Sequence, residues 1–172
     1  MSPEQAASAS LISRLLRELR ADRRAMLRHE QDAVELSAVL ASPGHPERAQ
    51  LAWAATVLHA WYTALESSLE RVARHLDECV PSGERWHQEL LSQAMAAIPG
   101  LREPLLPEAA EGDLIELLGF RHFFRHAYAV ELRADRLAPL LTTLLRVAPQ
   151  VATGLDRFEA TLDRGQVLLT GE

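Results

Sequence analysis

Apolar residues recur every three or four positions along most of this chain. One such series runs from Leu51 to Leu76, and a second runs from Leu137 to Leu162. This spacing places the apolar residues on one face of a helix. No run of alternating apolar and polar residues is long enough to predict a β-strand. The pattern therefore predicts an all-α protein, a bundle of about five helices.

Prolines, glycines and capping residues predict where the first helices begin and end. The first helix is expected from about residue 10 to residue 40, before a turn at residues 42–46, Ser-Pro-Gly-His-Pro. A third helix is expected from Glu84 to about residue 98. Ser82 or Gly83 would be its N-cap.

The second half of the chain carries similar signals. Three prolines predict a linker loop over residues 99–107, followed by a fourth helix over about 108–130. Asp135 is a candidate N-cap for the fifth helix. Pro149 predicts a kink or a break within it.

Length and composition are those of one globular domain, residues 1–172. The hydrophobic fraction is 48% and the charged fraction 24%, which excludes a disordered or collagen-like chain. The single cysteine, Cys79, excludes a disulfide framework and suits a reducing compartment. Neither a signal peptide nor a membrane-spanning stretch is recognisable, so we expect a cytoplasmic protein with no membrane partner.

The charge is uneven along the chain. The formal net charge is −6, which argues against a protein that coats nucleic acid non-specifically. However, an arginine stripe follows one face of the first helix, at Arg17, Arg20, Arg24 and Arg28. This stripe could guide RNA or an acidic partner, or it could be a solvated outer face.

The densest polar chemistry lies within residues 121–128. This window places five polar residues around the aromatic pair Phe123 and Phe124: Arg121, His122, Arg125, His126 and Tyr128. In a helix, Arg121, Arg125 and Tyr128 share one face, and the two histidines share another. Either the aromatic pair is buried beneath a solvated polar face, or the polar residues form a site.

The string Arg-x4-His-x-Tyr, here Arg121, His126 and Tyr128, resembles the signature of HEPN-domain toxins of the HepT type. The resemblance covers residues 51–133, where three segments follow the order and spacing of the HepT-like branch: 58–78, 81–91 and 117–132. Many members have asparagine directly after the motif arginine, whereas this chain has His122.

The resemblance implies an all-α endoribonuclease toxin that needs no metal or other cofactor and is paired with a nucleotidyltransferase (MNT) antitoxin. RNA is cleaved when its own 2′-OH attacks the adjacent phosphorus, which requires proton transfer and a cation for the phosphoryl charge. Histidine suits the first role and the planar arginine fork suits the second. The resemblance implies His126 as base or acid and Arg121 as phosphate clamp, leaving 2′,3′-cyclic phosphate ends.

The relative position of the catalytic pair sets a condition. Arg121 and His126 are roughly 140° apart on a straight helix. Either the helix ends or bends between them, or two subunits share the cleft. The resemblance implies the second arrangement, a symmetric homodimer. It also implies that the antitoxin can AMPylate Tyr128, which otherwise would be a packing residue.

Other residues are weaker candidates for the cleft. His87 follows Trp86 at the start of the third helix, where the pair could either line the cleft or anchor packing. His122 and Arg125 are also possible cleft-lining residues. Trp53, Trp61 and Tyr62 belong most simply to the core or to a dimer interface.

Two other function classes compete with the ribonuclease. The first is a non-catalytic HEPN partner or the nucleotide-binding subunit of a nucleotidyltransferase, because fold does not fix activity. The second is a metal-dependent helical-bundle enzyme. It would use His122 and His126, spaced i, i+4, with His59 or His87 as third ligand.

Overall fold

The computed structural model describes residues 2–126 and 131–170. The described residues form five α-helices: α1 (Pro3–Ala41), α2 (Arg48–His75), α3 (Trp86–Met95), α4 (Glu111–His126) and α5 (Ala134–Thr170). A single 3₁₀ turn, Glu108–Ala110, leads into α4. The protein is an all-α helical bundle, as the hydrophobic periodicity predicts.

The three long helices form the body of the bundle. Helix α1 lies against both α2 and α5, while α4 packs on α2 and α5. The short helix α3 contacts α2 and α4. The buried residues form one contiguous apolar cluster, in which the largest fully buried side chain is Trp61.

Helices α1 and α3 begin at other residues than predicted. Helix α1 begins at Pro3, because Ser2 and Gln5 form a reciprocal capping box and proline is tolerated at the first helical position. Helix α3 begins later than expected, with Arg85 at the N-cap, so the prediction of Ser82 or Gly83 was wrong. Gly83 instead has a φ of +96° and opens a turn that closes onto Trp86.

Helix α5 is continuous through Pro149, so the break that we considered there does not occur. Proline removes one backbone hydrogen bond, and the packing of α5 against α1 stabilises the helix despite that loss. Asp135 is not the N-cap. It lies in the first turn of α5 and binds Arg133, whose carbonyl accepts the first helical hydrogen bonds.

The expected linker over residues 99–107 is part of the packed structure. Leu105 and Leu106 are buried in the core. Arg102 is buried as well, and its guanidinium donates to both carboxylate oxygens of Asp77, at 2.8 and 2.7 Å. The chain then passes so close to α5 that a Cβ on Gly154 would lie 1.9 Å from the carbonyl oxygen of Leu105.

The aromatic residues of α2 differ in burial. Trp61 and Tyr62 belong to the core, whereas Trp53 is 43% exposed. Within residues 2–126 and 131–170, none of the helices has a segment both long and apolar enough to span a bilayer.

Candidate functional site

Arg121 lies on the face of α4 that packs against α2. It follows Leu114, Leu117 and Leu118, and the spacing of threes and fours carries the arginine onto the same buried face. Its Nη2 donates to Oε1 of Glu66 at 2.7 Å, and its Nε donates to Oγ1 of Thr63 at 3.2 Å. The charged end of Arg121 is therefore fixed by two residues of α2.

One nitrogen of this guanidinium remains without a partner. Among the described residues, Nη1 of Arg121 is buried and has no hydrogen-bond acceptor. A buried donor in this state costs about 1–3 kcal/mol. An anionic oxygen placed next to Nη1 would recover that free energy, which makes this atom a candidate binding point for phosphate.

Glu66 joins Arg121 to a histidine of α3. Its Oε2 lies 2.5 Å from Nδ1 of His87. A carboxylate that already accepts from a guanidinium also accepts here, so we assign the ring proton to Nδ1. In the neutral ring, the lone pair then lies on Nε2. The side chain of Trp86 stacks on the His87 ring, with 3.6 Å between ring centroids.

His122 lies beside His87. Their ring centroids are 4.6 Å apart and the rings meet edge to face. Partial burial lowers the pKa of His122, and the nearby positive charges of His87 and Arg121 lower it further. His122 is therefore neutral near pH 7. We name Thr63, Glu66, His87, Arg121 and His122 the polar cluster.

His126 lies apart from the polar cluster. It is the last residue of α4 and is exposed. Its Nδ1 donates to the backbone carbonyl of His122 at 2.9 Å, which leaves Nε2 as the nitrogen that can accept a proton. Helix α4 runs through both Arg121 and His126, so it does not end between them. Arg121 is buried and His126 is exposed, as their different helical faces require.

Three further residues were candidates from the sequence. Arg125 is exposed at the end of α4. His59 is half-buried, with its ring 5.6 Å from that of Phe124, and burial followed by the charges of Arg121 and Arg125 lowers its pKa. Tyr128 lies outside the described residues.

The aromatic pair of α4 is not buried as a unit. Phe124 is half-buried, but Phe123 is 50% exposed. Phe123 lines a groove of about 520 Å³ between α4 and the start of α5, together with Phe120 and Leu140. The lining of this groove contains no residue of the polar cluster, so the groove and the cluster use different faces of α4.

The described part of the chain gives no support to a metal centre. It brings together no group of three or more histidine, cysteine, aspartate or glutamate side chains that could hold an ion. His122 and His126 have the i, i+4 spacing of a ligand pair, but Nδ1 of His126 is bonded to a carbonyl and no described residue supplies a third ligand.

The arginine stripe of α1 is only partly free. Arg20 pairs with Glu159 and Asp163 of α5. Arg17, Arg24 and Arg28 are exposed. Part of the stripe therefore fixes α1 to α5, and the remainder is a basic surface.

Sequence patterns missed two members of the polar cluster, Thr63 and Glu66, of which only Glu66 is charged. It lies four residues after Tyr62, on the apolar stripe of α2, and is 7% exposed. A carboxylate at a core-facing position is an identifiable signal, because acidic residues are rarely buried unless they are paired. Its partners on α3 and α4 could not be identified from periodicity.

Comparison with known proteins gives one family. A family model described as "HepT-like protein" matches residues 53–162, which include all of the polar cluster and His126. No curated protein and no solved structure matches the chain.

Proposed function

Because the chain belongs to the HepT-like protein family, we propose that it is a metal-independent endoribonuclease, the toxin of a toxin–antitoxin pair. The observation that carries this proposal is the state of Arg121. Its buried guanidinium is held by Glu66 and Thr63, yet Nη1 has no partner among the described residues. A fixed guanidinium whose remaining donor lacks a partner is suited to a phosphate once that donor is uncovered.

The proposed reaction uses the RNA as its own nucleophile. The 2′-OH attacks the adjacent phosphorus, and cleavage leaves a 2′,3′-cyclic phosphate and a 5′-OH. Nη1 of Arg121 binds a phosphoryl oxygen once the neighbouring side chains that cover it move aside. The guanidinium then stabilises the negative charge that develops in the transition state. His126 takes the proton of the 2′-OH through Nε2, the ring nitrogen that is not bonded to the carbonyl of His122.

We propose that the cleft is formed by two copies of the chain. Arg121 and His126 face different directions on one continuous helix, so a single α4 does not direct both at one phosphate. Two copies of α4 around a twofold axis would place His126 of one copy near Arg121 of the other. The proposed homodimer predicts a mass of twice 19.1 kDa in sedimentation equilibrium.

The proposed antitoxin is a nucleotidyltransferase that modifies Tyr128 with AMP. This tyrosine follows His126 by two residues in the sequence. An AMP group on Tyr128 would add a negative charge and bulk, and we propose that it competes with RNA for the phosphate site. Co-expression with a nucleotidyltransferase antitoxin should add the mass of AMP to the peptide that contains Tyr128.

Cleavage of total RNA by unmodified protein in excess EDTA tests the ribonuclease. We expect products with 2′,3′-cyclic phosphate ends, and a loss of about 100-fold or more in His126→Ala, the usual effect of removing an acid–base residue. The matched control is His45→Ala, which removes an exposed histidine from the loop between α1 and α2. It should cleave like wild type.

Three results would contradict the proposal. The first is the absence of cleavage by a dimeric, unmodified sample, which would favour a non-catalytic partner or a nucleotide-binding subunit. The second is equal cleavage by His126→Ala and wild type, which would remove His126 from the reaction. Cleavage that requires added metal would contradict the metal-independent mechanism.

A further inference from the structure

Cleavage by 2′-OH attack moves two protons. One leaves the 2′-OH as the bond from the 2′-oxygen to phosphorus forms. The other must reach the 5′-oxygen as its bond to phosphorus breaks, because an alkoxide is a poor leaving group. In the function proposed above, His126 takes the first proton and no residue supplies the second. The inference that follows rests on that proposed function.

We propose that His87 is the general acid, which donates a proton from Nε2 to the departing 5′-oxygen. The ring is held on one side by Glu66, whose Oε2 lies 2.5 Å from Nδ1. Trp86 stacks on its face and His122 meets its edge. A histidine oriented in this way by a carboxylate presents its other nitrogen for proton transfer.

Nε2 is the nitrogen of His87 that Glu66 does not contact. Among the described residues, it has no hydrogen-bond partner. The side chain as a whole is 11% exposed. The ring is therefore fixed by its surroundings through Nδ1 and its faces, which leaves Nε2 as the nitrogen for proton transfer.

Glu66 couples the proton donor to the phosphate clamp. One carboxylate oxygen accepts from Nη2 of Arg121 and the other faces Nδ1 of His87. A single buried side chain thus sets the position of both groups relative to one phosphate. Because proton donation requires the donor to lie near the leaving oxygen of the phosphate that Arg121 binds, this shared support is suited to the task.

The two histidines differ in their partners. Glu66 places a carboxylate against Nδ1 of His87, and a carboxylate in that position orients the ring for proton transfer through Nε2. No acidic side chain among the described residues forms an ion pair with His126. His126 is accordingly the base, and His87 the acid.

A substrate whose leaving group needs no proton distinguishes a general acid from a residue that only packs. The rate on such a substrate does not depend on a proton donor. The substrate is an oligonucleotide that contains the site most strongly cleaved in total RNA, made once with the natural 5′-oxygen and once with sulfur in its place. The 5′-thiolate departs without protonation. The variant is His87→Asn, whose amide can still donate to Glu66 from the position of Nδ1 but has no Nε2.

We expect His87→Asn to lose about 100-fold or more on the oxygen substrate and to cleave the sulfur substrate at close to the wild-type rate. His126→Ala should be slow on both substrates.

Each alternative outcome overturns the inference in a recognisable way. Equal losses on both substrates would assign His87 a packing role, and no loss on either would exclude it from the reaction. Failure of wild type to cleave either substrate would instead refute the proposed ribonuclease itself. If His87→Asn does not fold, as judged by circular dichroism, His87→Gln is tested on the same two substrates.

Discussion

Replacing Glu66 by glutamine keeps the size of a nearly buried side chain and removes its charge. Arg121 remains positively charged, because arginine does not lose its proton in proteins, and its side chain is only 8% exposed. Removing one partner of a buried ion pair costs about 3–5 kcal/mol. The glutamine oxygen can still accept one hydrogen bond from Arg121 or His87. We therefore expect a loss near the lower limit, about 3 kcal/mol.

Urea denaturation followed by far-UV circular dichroism, at one fixed protein concentration, measures this loss. The matched control is Glu70→Gln, one turn further along α2, where the carboxylate pairs with the exposed Arg74. Such surface pairs contribute about 0–1 kcal/mol. In a chain of this size, a loss of 3 kcal/mol lowers the melting temperature by about 6–12 °C.

A double-mutant cycle with Arg121→Met isolates the ion pair. If Glu66 acts mainly by compensating Arg121, then Glu66→Gln should cost much less once Arg121 is methionine, with a coupling of about 1–3 kcal/mol. The reasoning is refuted if Glu66→Gln loses less than about 1 kcal/mol and matches Glu70→Gln, or if the two substitutions are additive.

Further consequences can be tested by unfolding. Gly154→Ala should destabilise the protein by about 1–3 kcal/mol or more, because the new Cβ would overlap the backbone of the linker. Gly165→Ala is the control, because position 165 faces open space, and it should be neutral or stabilising. Thermal melts of both variants measure the difference. Burial, followed by the charges of Arg121 and Arg125, lowers the pKa of His59 below 6.5. The unfolded chain then binds more protons than the folded chain between the two pKa values, so stability should fall as pH drops through about 6.5. His59→Gln should reduce that fall in urea midpoints, and an unchanged pH dependence would contradict this assignment.

The elements with long apolar stripes could be predicted from the sequence. The series from Leu51 to Leu76 and the series from Leu137 to Leu162 correspond to α2 and α5, because burial of one face dominates the choice of structure in long helices. Pro149 did not break α5, because tertiary packing outweighs the loss of one hydrogen bond. Local sequence signals predict the structure least well where contacts between residues distant in the sequence determine it.

The linker over residues 99–107 illustrates that limit. Its three prolines indicated a loop, but its burial depends on the ion pair between Arg102 and Asp77 and on the space left by Gly154. Those partners are separated in the sequence by 25 and about 50 residues, and no periodicity connects them. A polar loop and a packed loop therefore have similar sequence patterns.

The candidate site shows the same division. The density of arginine and histidine in residues 121–128 indicated the region, and His87 was a weaker candidate from its place beside Trp86. The structure brings His87 and Arg121 together through Glu66 and places the His122 ring against that of His87. Glu66 lies on the apolar stripe of α2 and was not among the predicted site residues. Glu66 and Arg121 are 55 residues apart, so only the packing of α2 against α4 could reveal the pair.

The ion pair between Glu66 and Arg121 is poorly explained by stability alone. The free energy needed to remove two charges from water is often larger than their attraction in the interior, so well-packed apolar residues at the same positions are commonly as stable or more stable. Among the described residues, Nη1 of this core-facing arginine has no partner, which adds a further cost. Such a cluster is accounted for if Arg121 and His87 act on a ligand. The double variant Glu66→Gln, Arg121→Met separates the two explanations, because a purely structural pair predicts a stable protein with full cleavage, and the proposed site predicts a stable protein with none.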